Sequence, residues 1–255
     1  SRLIPALSPL VMALMAWWPL ESLAQRAARP VAPPRDAIPV PAATWRLQGT
    51  GADRPTETRN PQGGRDQRID QTSRRAIYQW QSFDIGADSK VHFQLPGADS
   101  SALNRIDRGA SPSAIFGALT SNGSITLLNG SGILFGAGAQ VNVNGLIAST
   151  LNVGDDDFLQ GLTTSIYSGS PSFFKDEAFL GVPVVGKGFV EVQAGASIRT
   201  EAGGRVFLFA EEVVNAGRIS TERGQTVLAA GDKIYLQDPT RETLYASEVN
   251  ARIPA

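Results

Sequence analysis

A chain of 255 residues with 23 basic and 24 acidic side chains carries a formal charge of −1, so it has no basic field with which to grip nucleic acid, and no such partner is expected. Cysteine is absent and histidine occurs once, at His92, which excludes thiol catalysis, disulfide staples, cysteine-containing zinc sites and multi-histidine metal centres. The hydrophobic content of 42% is enough for a core, and the length suits one large domain or two small ones.

The opening, SRLIPALSPLVMALMAWWPLESLAQ, has the layout of an export signal. Arg2 supplies a minimal basic end, Ala6 to Leu20 form an apolar run, and Ser22-Leu23-Ala24 fits a small-x-small cleavage site. Residues 1–24 are read as this signal, N-terminally incomplete because the chain starts at Ser1 without Met. The alternative is a membrane anchor, but a run of 15 residues holding Pro9 and Pro19 falls short of the roughly 20 that a spanning helix needs.

Residues 25–65 are expected to be a flexible linker. Arg26–Ala43 has five prolines and no periodicity, and the stretch from Thr50 to Asp70 is polar and charged. Ordered structure is expected from near Ile69, where RAIYQWQSFDIGADSKVHFQL alternates like strands, with Ile77, Trp80, Phe83, Ile85, Val91 and Phe93 as the buried set.

From Leu127 to Thr150, LLNGSGILFGAGAQVNVNGLIAST breaks short apolar runs with Gly or Asn every few residues. In the last third, AGASIRT (Ala194–Thr200) recurs as NAGRIST 21 residues on, and VFLFAEEVV (Val206–Val214) matches VLAAGDKIY (Val227–Tyr235) at the same offset. Short strand runs and turns repeating at about 21 residues, with no long amphipathic helix, indicate a solenoid of the parallel β-helix type. Each coil then has three strands and three corners, and the chain turns often because it has so many corners. Ile125, Leu127, Ile133, Phe135, Val141, Val143, Val206 and Leu208 are the expected inward residues.

These blocks together resemble the two-partner secretion domain, the N-terminal export module of filamentous haemagglutinin-like exoproteins. QTSRRAIYQWQSFDIG, ALNRIDRGASPSAIFGALTSNGSITL, the Leu127–Thr150 stretch, LNVGDDDFLQG and the 21-residue coils follow in the family's order, over about residues 66 to 240. The resemblance implies an all-β, right-handed parallel β-helix over 66–245 with an extra-helical insertion, followed by a tail, 246–255, leading to missing exoprotein sequence. It implies no enzymatic activity and no cofactor or metal. It also implies recognition of the unfolded chain by the periplasmic POTRA domains of an outer-membrane transporter of the TpsB type, then folding at the cell surface, where the domain nucleates the adhesin behind it. Host-cell contact would lie in the missing region. A cysteine-free chain suits this route, because disulfides cannot trap it before a narrow pore.

The family's Asn-Pro-Asn-Gly-Ile turn stands here as Asn129-Gly130-Ser131-Gly132-Ile133, which keeps good turn formers. Its Asn-Pro-Asn-Leu turn is absent, which suggests the haemagglutinin- or haemopexin-related branch. Transporter contacts are expected around Asn104, Asn129, Gly132, Ile133 and Asn144, although asparagines at stacked corners can equally hold neighbouring coils together.

Other features have plainer readings. Asp155-Asp156-Asp157 is a solvated loop before it is a calcium site or a pectate-lyase-like acid cluster, because three consecutive acids lack the usual ligand spacing. Gly136–Val141 holds Gly-x-Gly without the third glycine or the helix of a nucleotide loop. His92 reads as an outward strand residue. Glu211 and Glu212 are placed to pair with Arg218 and Arg223 on the next coil. Phe173, Phe174 and Phe179 either cover a face of the helix or form a recognition patch. A β-helical polysaccharide-active enzyme and a stand-alone surface adhesin are the competing functions.

Overall fold

The computed structural model describes residues 29–48, 54–162, 173–175 and 188–236. Strands begin earlier than the composition suggests: β1 (Val40–Gln48) and β2 (Thr56–Arg59) lie inside the stretch expected to be a flexible linker, and β3 (Arg65–Asp70) starts before Ile69. The physical reason is the exposed end of the stack. β1 runs antiparallel on β4 (Arg75–Ser82), and β2 antiparallel on β3, so each covers a strand that would otherwise leave its ladder groups open. Pro41 is tolerated because β1 is an outer strand with a broken register.

Six coils follow from the N-terminal end. The first holds β3 and β4, and the second holds β5 (Lys90–Gln94) and β6 (Ser101–Ile106). The third is complete, with β7 (Ser113–Ile115), β8 (Ala118–Ser121) and β9 (Ser124–Leu128). The fourth has β10 (Ile133–Phe135), β11 (Gln140–Val143) and β12 (Gly145–Ser149). An insertion then carries α1 (Asp155–Gln160) and β13 (Phe173–Phe174). The fifth coil is β14 (Phe189–Val192), β15 (Ser197–Thr200) and β16 (Arg205–Ala210), and the sixth is β17 (Glu212–Asn215), β18 (Arg218–Thr221) and β19 (Gln225–Ala230). A short β20 (Lys233–Ile234) leaves the stack and pairs with β13.

Strands of successive coils are parallel and in register, which makes three sheets and a parallel β-helix, as expected from the repeat. Face 1 contains β4, β6, β9, β12, β16 and β19; face 2 contains β7, β10, β14 and β17; face 3 contains β3, β5, β8, β11, β15 and β18. Alternation along each strand sends one set of side chains inside. All eight expected inward residues from Ile125 to Leu208 are buried in the central cluster, as are Trp80, Phe83, Ile85, Val91 and Phe93.

The 21-residue offset holds for β15 over β18, where Ile198 sits on Ile219, but not for the next strand. Val206 stacks on Thr226 and Phe207 on Val227, a step of 20. The corner after β18 is one residue shorter than the corner after β15, and Arg223 in it takes φ +50°. A one-residue slip exchanges faces, so Val227 points outward instead of under Val206.

That outer side of face 1 holds a second core. Ile77, Leu103, Leu128, Phe207 and Phe209 point away from the helix interior and pack against Phe158 of α1 and Phe173 of β13. Ile77 is therefore buried as expected, but in this outer layer. Phe173 is fully buried with its ring 5.3 Å from that of Phe209, so the insertion covers a face, while Phe174 is half-buried and Phe179 lies outside the described residues.

Candidate recognition turn

Asn129 begins the corner between faces 1 and 2, after β9, and the structure uses every polar atom of its side chain. Nδ2 donates to the Ser111 carbonyl and to Ser113 Oγ, both at 3.0 Å, while Oδ1 accepts the Ser131 amide at 3.0 Å. The acceptor side is a local turn of the kind asparagine favours. The donor side reaches the preceding coil, where Ser113 stacks under Ile133. The Asn129 amide also donates to the Ser149 carbonyl, and the residue is 2% exposed.

Gly132 closes the turn at φ +135°, a region that L side chains avoid. A Cβ there would stand 2.4 Å from the Phe189 ring, which packs against the turn. Ile133, the next residue, points into the core with no exposure. The motif is thus a closed corner, roofed by an aromatic side chain that arrives 57 residues later, after the insertion.

The other two expected contact residues lie elsewhere. Asn104 is not at a corner: it sits mid-strand in β6, facing inward, fully buried, with Oδ1 accepting the Trp80 indole N–H at 2.9 Å. Its Nδ2 faces the Ala102 and Thr126 carbonyls. A polar side chain is stable in this core because the indole needs an acceptor. Asn144 is at the corner between β11 and β12 and donates to the Ala98 carbonyl at 2.7 Å. The three asparagines do not stack on one another; each ties its own strand or corner to backbone or side chains nearby. The signal that sequence reasoning missed is Phe189, whose neighbour Gly188 opens the strand returning from the insertion.

The remaining candidates separate cleanly. Asp155, Asp156 and Asp157 form the first turn of α1, a correction to the expected loop, since acids there oppose the positive end of the helix. Asp155 is paired with Arg105, which also donates to the Val153 carbonyl at 2.8 Å and so fastens the insertion to β6. Among the described residues no three His, Asp or Glu side chains converge as a metal cluster. Gly136–Val141 runs through a corner into β11, with no helix behind it.

Glu211 and Glu212 do not take the expected partners. Glu211 pairs with Lys175 at 2.8 Å and Glu212 with Arg29 at 2.8 Å, while Arg223 lies beside Glu222. Glu212 starts β17 on face 2 and Arg218 starts β18 on face 3, so a corner stands between them. At the corner between faces 1 and 2 after β4, Asp84 accepts the Ala114 amide, and burial raises its carboxyl above the usual range against that hydrogen bond.

His92 points outward from β5 as expected, in a shallow polar groove lined by Thr56, Thr58, Arg68 and Lys90, with Nδ1 2.8 Å from Thr120 Oγ1. Partial burial holds its pKa below the ordinary value; the Gln94 hydrogen bond opposes this, and Arg68 and Lys90 add to it. A depressed histidine pKa means that the unfolded chain binds the proton more readily. The His92 contribution is therefore whole above about pH 6.5 and is lost as the pH falls. His92→Gln should flatten the slope of denaturation midpoint against pH between about pH 7 and pH 5, a modest change because the ring is only partly buried.

The comparisons with known proteins agree with the fold. Residues 49–253 match the family described as the TPS secretion domain. Two heme/hemopexin-binding proteins of Haemophilus influenzae are 44% and 43% identical over 82 residues, which is 32% of this chain. The aligned stretch spans only 9% of either relative. The crystal structure of the HMW1 secretion domain from Haemophilus influenzae is similar with a TM-score of 0.56 and 26% identity, covering 72% of this chain and 45% of that one.

Proposed function

The chain belongs to the TPS secretion domain family, and from that premise we propose that a TpsB-type transporter reads it in the unfolded state, through its periplasmic POTRA domains, before the coils close. A secretion domain of this family marks an exported protein of a Gram-negative bacterium with a transporter as its general partner. The observation that carries the finer reading is burial. Asn104, Asn129 and Ile133 are at most 2% exposed, and the polar atoms of both asparagines are engaged inside the fold. A partner that reads those side chains meets them only in a chain that has not yet folded. Unfolded segments can add to a sheet edge as an extra strand, which suits recognition in a periplasmic compartment.

The opposite end of the stack supports the second half of the proposal, nucleation at the cell surface. β17, β18 and β19 end their sheets, and Leu228 in the inward row is 42% exposed. Such an edge, uncovered among the described residues, offers backbone groups on which a further coil can add. Delivery is to the surface or the medium, and adhesive, haemolytic or haem-related activity is assigned to exoprotein sequence beyond these coils. The polysaccharide-active alternative has no group of three metal-holding acids among the described residues to support it.

The test is capture by the purified periplasmic domains of the transporter encoded beside the gene. A chain diluted from urea should be retained at least about tenfold better than the refolded domain, because a stable domain exposes its core segments in a minute fraction of molecules. Equal retention of the refolded domain would place recognition on the folded surface and defeat the proposal.

A further inference from the structure

Residues 29–39 run along the outside of face 2, from the last coils back to the first. Arg29 makes three contacts there. Its Nε lies 2.6 Å from Glu191 Oε2 in β14, Nη2 lies 2.8 Å from Glu212 Oε1 in β17, and its Cζ stands 3.8 Å above the centre of the Phe189 ring. The three charged side chains are between 15% and 28% exposed, so the pairs are shielded more than ordinary surface pairs. The guanidinium geometry suits both roles, a fork for two carboxylates and a plane over an aromatic ring.

The other end of the segment is fixed at the N-terminal coils. Gly86 donates to the Ala37 carbonyl and Asp88 to the Arg35 carbonyl, both at 2.9 Å, and Arg35 pairs with Asp88. The approach is so close that a Cβ on Gly86 would stand 2.2 Å from the Pro34 carbonyl oxygen. Gln67, buried at the top of the core, donates to the Pro39 carbonyl at 2.9 Å. Three coil steps separate Phe189 from Ile85, about 14 Å, and five extended residues from Arg29 to Pro34 cover about 17 Å. The proline-rich composition that reads as a linker therefore has another use: Pro30, Pro33, Pro34 and Pro39 have no N–H to offer a ladder, which suits a segment lying outside a finished sheet, with one turn at Pro34–Ala37.

We propose that residues 29–39 form a closing strap, whose Arg29 clasp engages only after the fifth and sixth coils are in place and then couples the two ends of the stack. The hydrogen bonds of the clasp span 162 and 183 residues, so they join the first described residues to the last coils formed. A solenoid otherwise transmits stability only between neighbouring repeats, and its end coils open independently. The strap adds a long-range link along face 2, beside the one that the insertion makes along face 1. It also seals the recognition turn, because Arg29 lies on Phe189 and Phe189 lies on Gly132. The clasp rests on contacts in the folded domain and stands whether or not the transporter reads Asn129.

Hydrogen exchange on the full chain tests it. Arg29→Ala should speed exchange at least about tenfold both in 29–39 and across the fifth and sixth coils, while the third and fourth coils keep their protection. Glu191→Gln combined with Glu212→Gln should reproduce the pattern, and adding Arg29→Ala to that pair should add little, because the groups share one interaction. If Arg29→Ala does not refold, Arg29→Lys is the substitute; it keeps a charge but loses the fork, and the same coils should loosen to a lesser degree. A change confined to 29–33, or effects that simply add, would overturn the strap.

Discussion

Asn129→Ala is expected to destabilise the folded domain by about 2–4 kcal/mol, with the loss visible as a lower denaturation midpoint. The substitution removes three hydrogen bonds and leaves the Ser111 carbonyl, Ser113 Oγ and the Ser131 amide to find new partners in a corner where Asn129 itself is 2% exposed. An unmet buried polar group costs more than a hydrogen bond contributes on average, which is why the sum exceeds that of one bond. Most domains have enough stability to survive this, so the variant should refold and allow the two roles of the residue to be separated. If retention of the urea-unfolded variant by the transporter falls along with its stability, Asn129 serves both recognition and folding. If retention is unchanged, Asn129 is a corner residue and the transporter reads the chain elsewhere. Gly132→Ala attacks the same turn by a different route, through a left-handed φ and the Phe189 ring 2.4 Å from the new Cβ.

Phe209→Ala should cost about 3–5 kcal/mol, the range for removing a large aromatic side chain from a packed core. Phe209 points outward from β16, yet it is fully buried, with ring centres 5.3 Å from Phe173 and 5.6 Å from Phe207. Its loss leaves a cavity between face 1 and the insertion, so cleavage by trypsin near Lys175 should precede global unfolding in the variant. Denaturant unfolding measures the first effect and limited proteolysis the second. A cost below about 1 kcal/mol would mean that the insertion rests loosely on face 1 and that the outer cluster is not a second core.

The two predictions draw on different amounts of sequence information. Ile125, Leu127, Ile133, Phe135, Val141 and Val143 were legible as inward residues because alternation is a local property, visible wherever a strand has one side in a core. The coil repeat was legible from two segments that share an offset, although the alignment ran one residue long after Arg223, because a corner can lose a residue without disturbing the apolar pattern of the next strand. The strands at 40–48 and 56–59 were not legible. They are edge strands on an exposed end, where polar and proline residues are permitted, and their pairing depends on β4 and β3 being there to cover. The pairs of Glu211 and Glu212 were misplaced for a related reason, since offset along the chain does not say which side of a corner a residue occupies.

Composition and repeat by themselves determined the absence of thiol chemistry and the solenoid architecture, because each is a property of residue type and spacing along the chain, while the secretion-domain reading rested on the resemblance of its blocks to a known family. Tertiary structure alone decided what becomes of the motif residues. Asn104 turned inward to meet an indole, Asn129 was closed into a corner, Phe189 came to roof Gly132, and Arg29 reached across the stack to clasp Glu191 and Glu212. These outcomes join residues far apart in sequence through stacking and burial, and no local pattern records which distant side chain will arrive to satisfy a buried polar group.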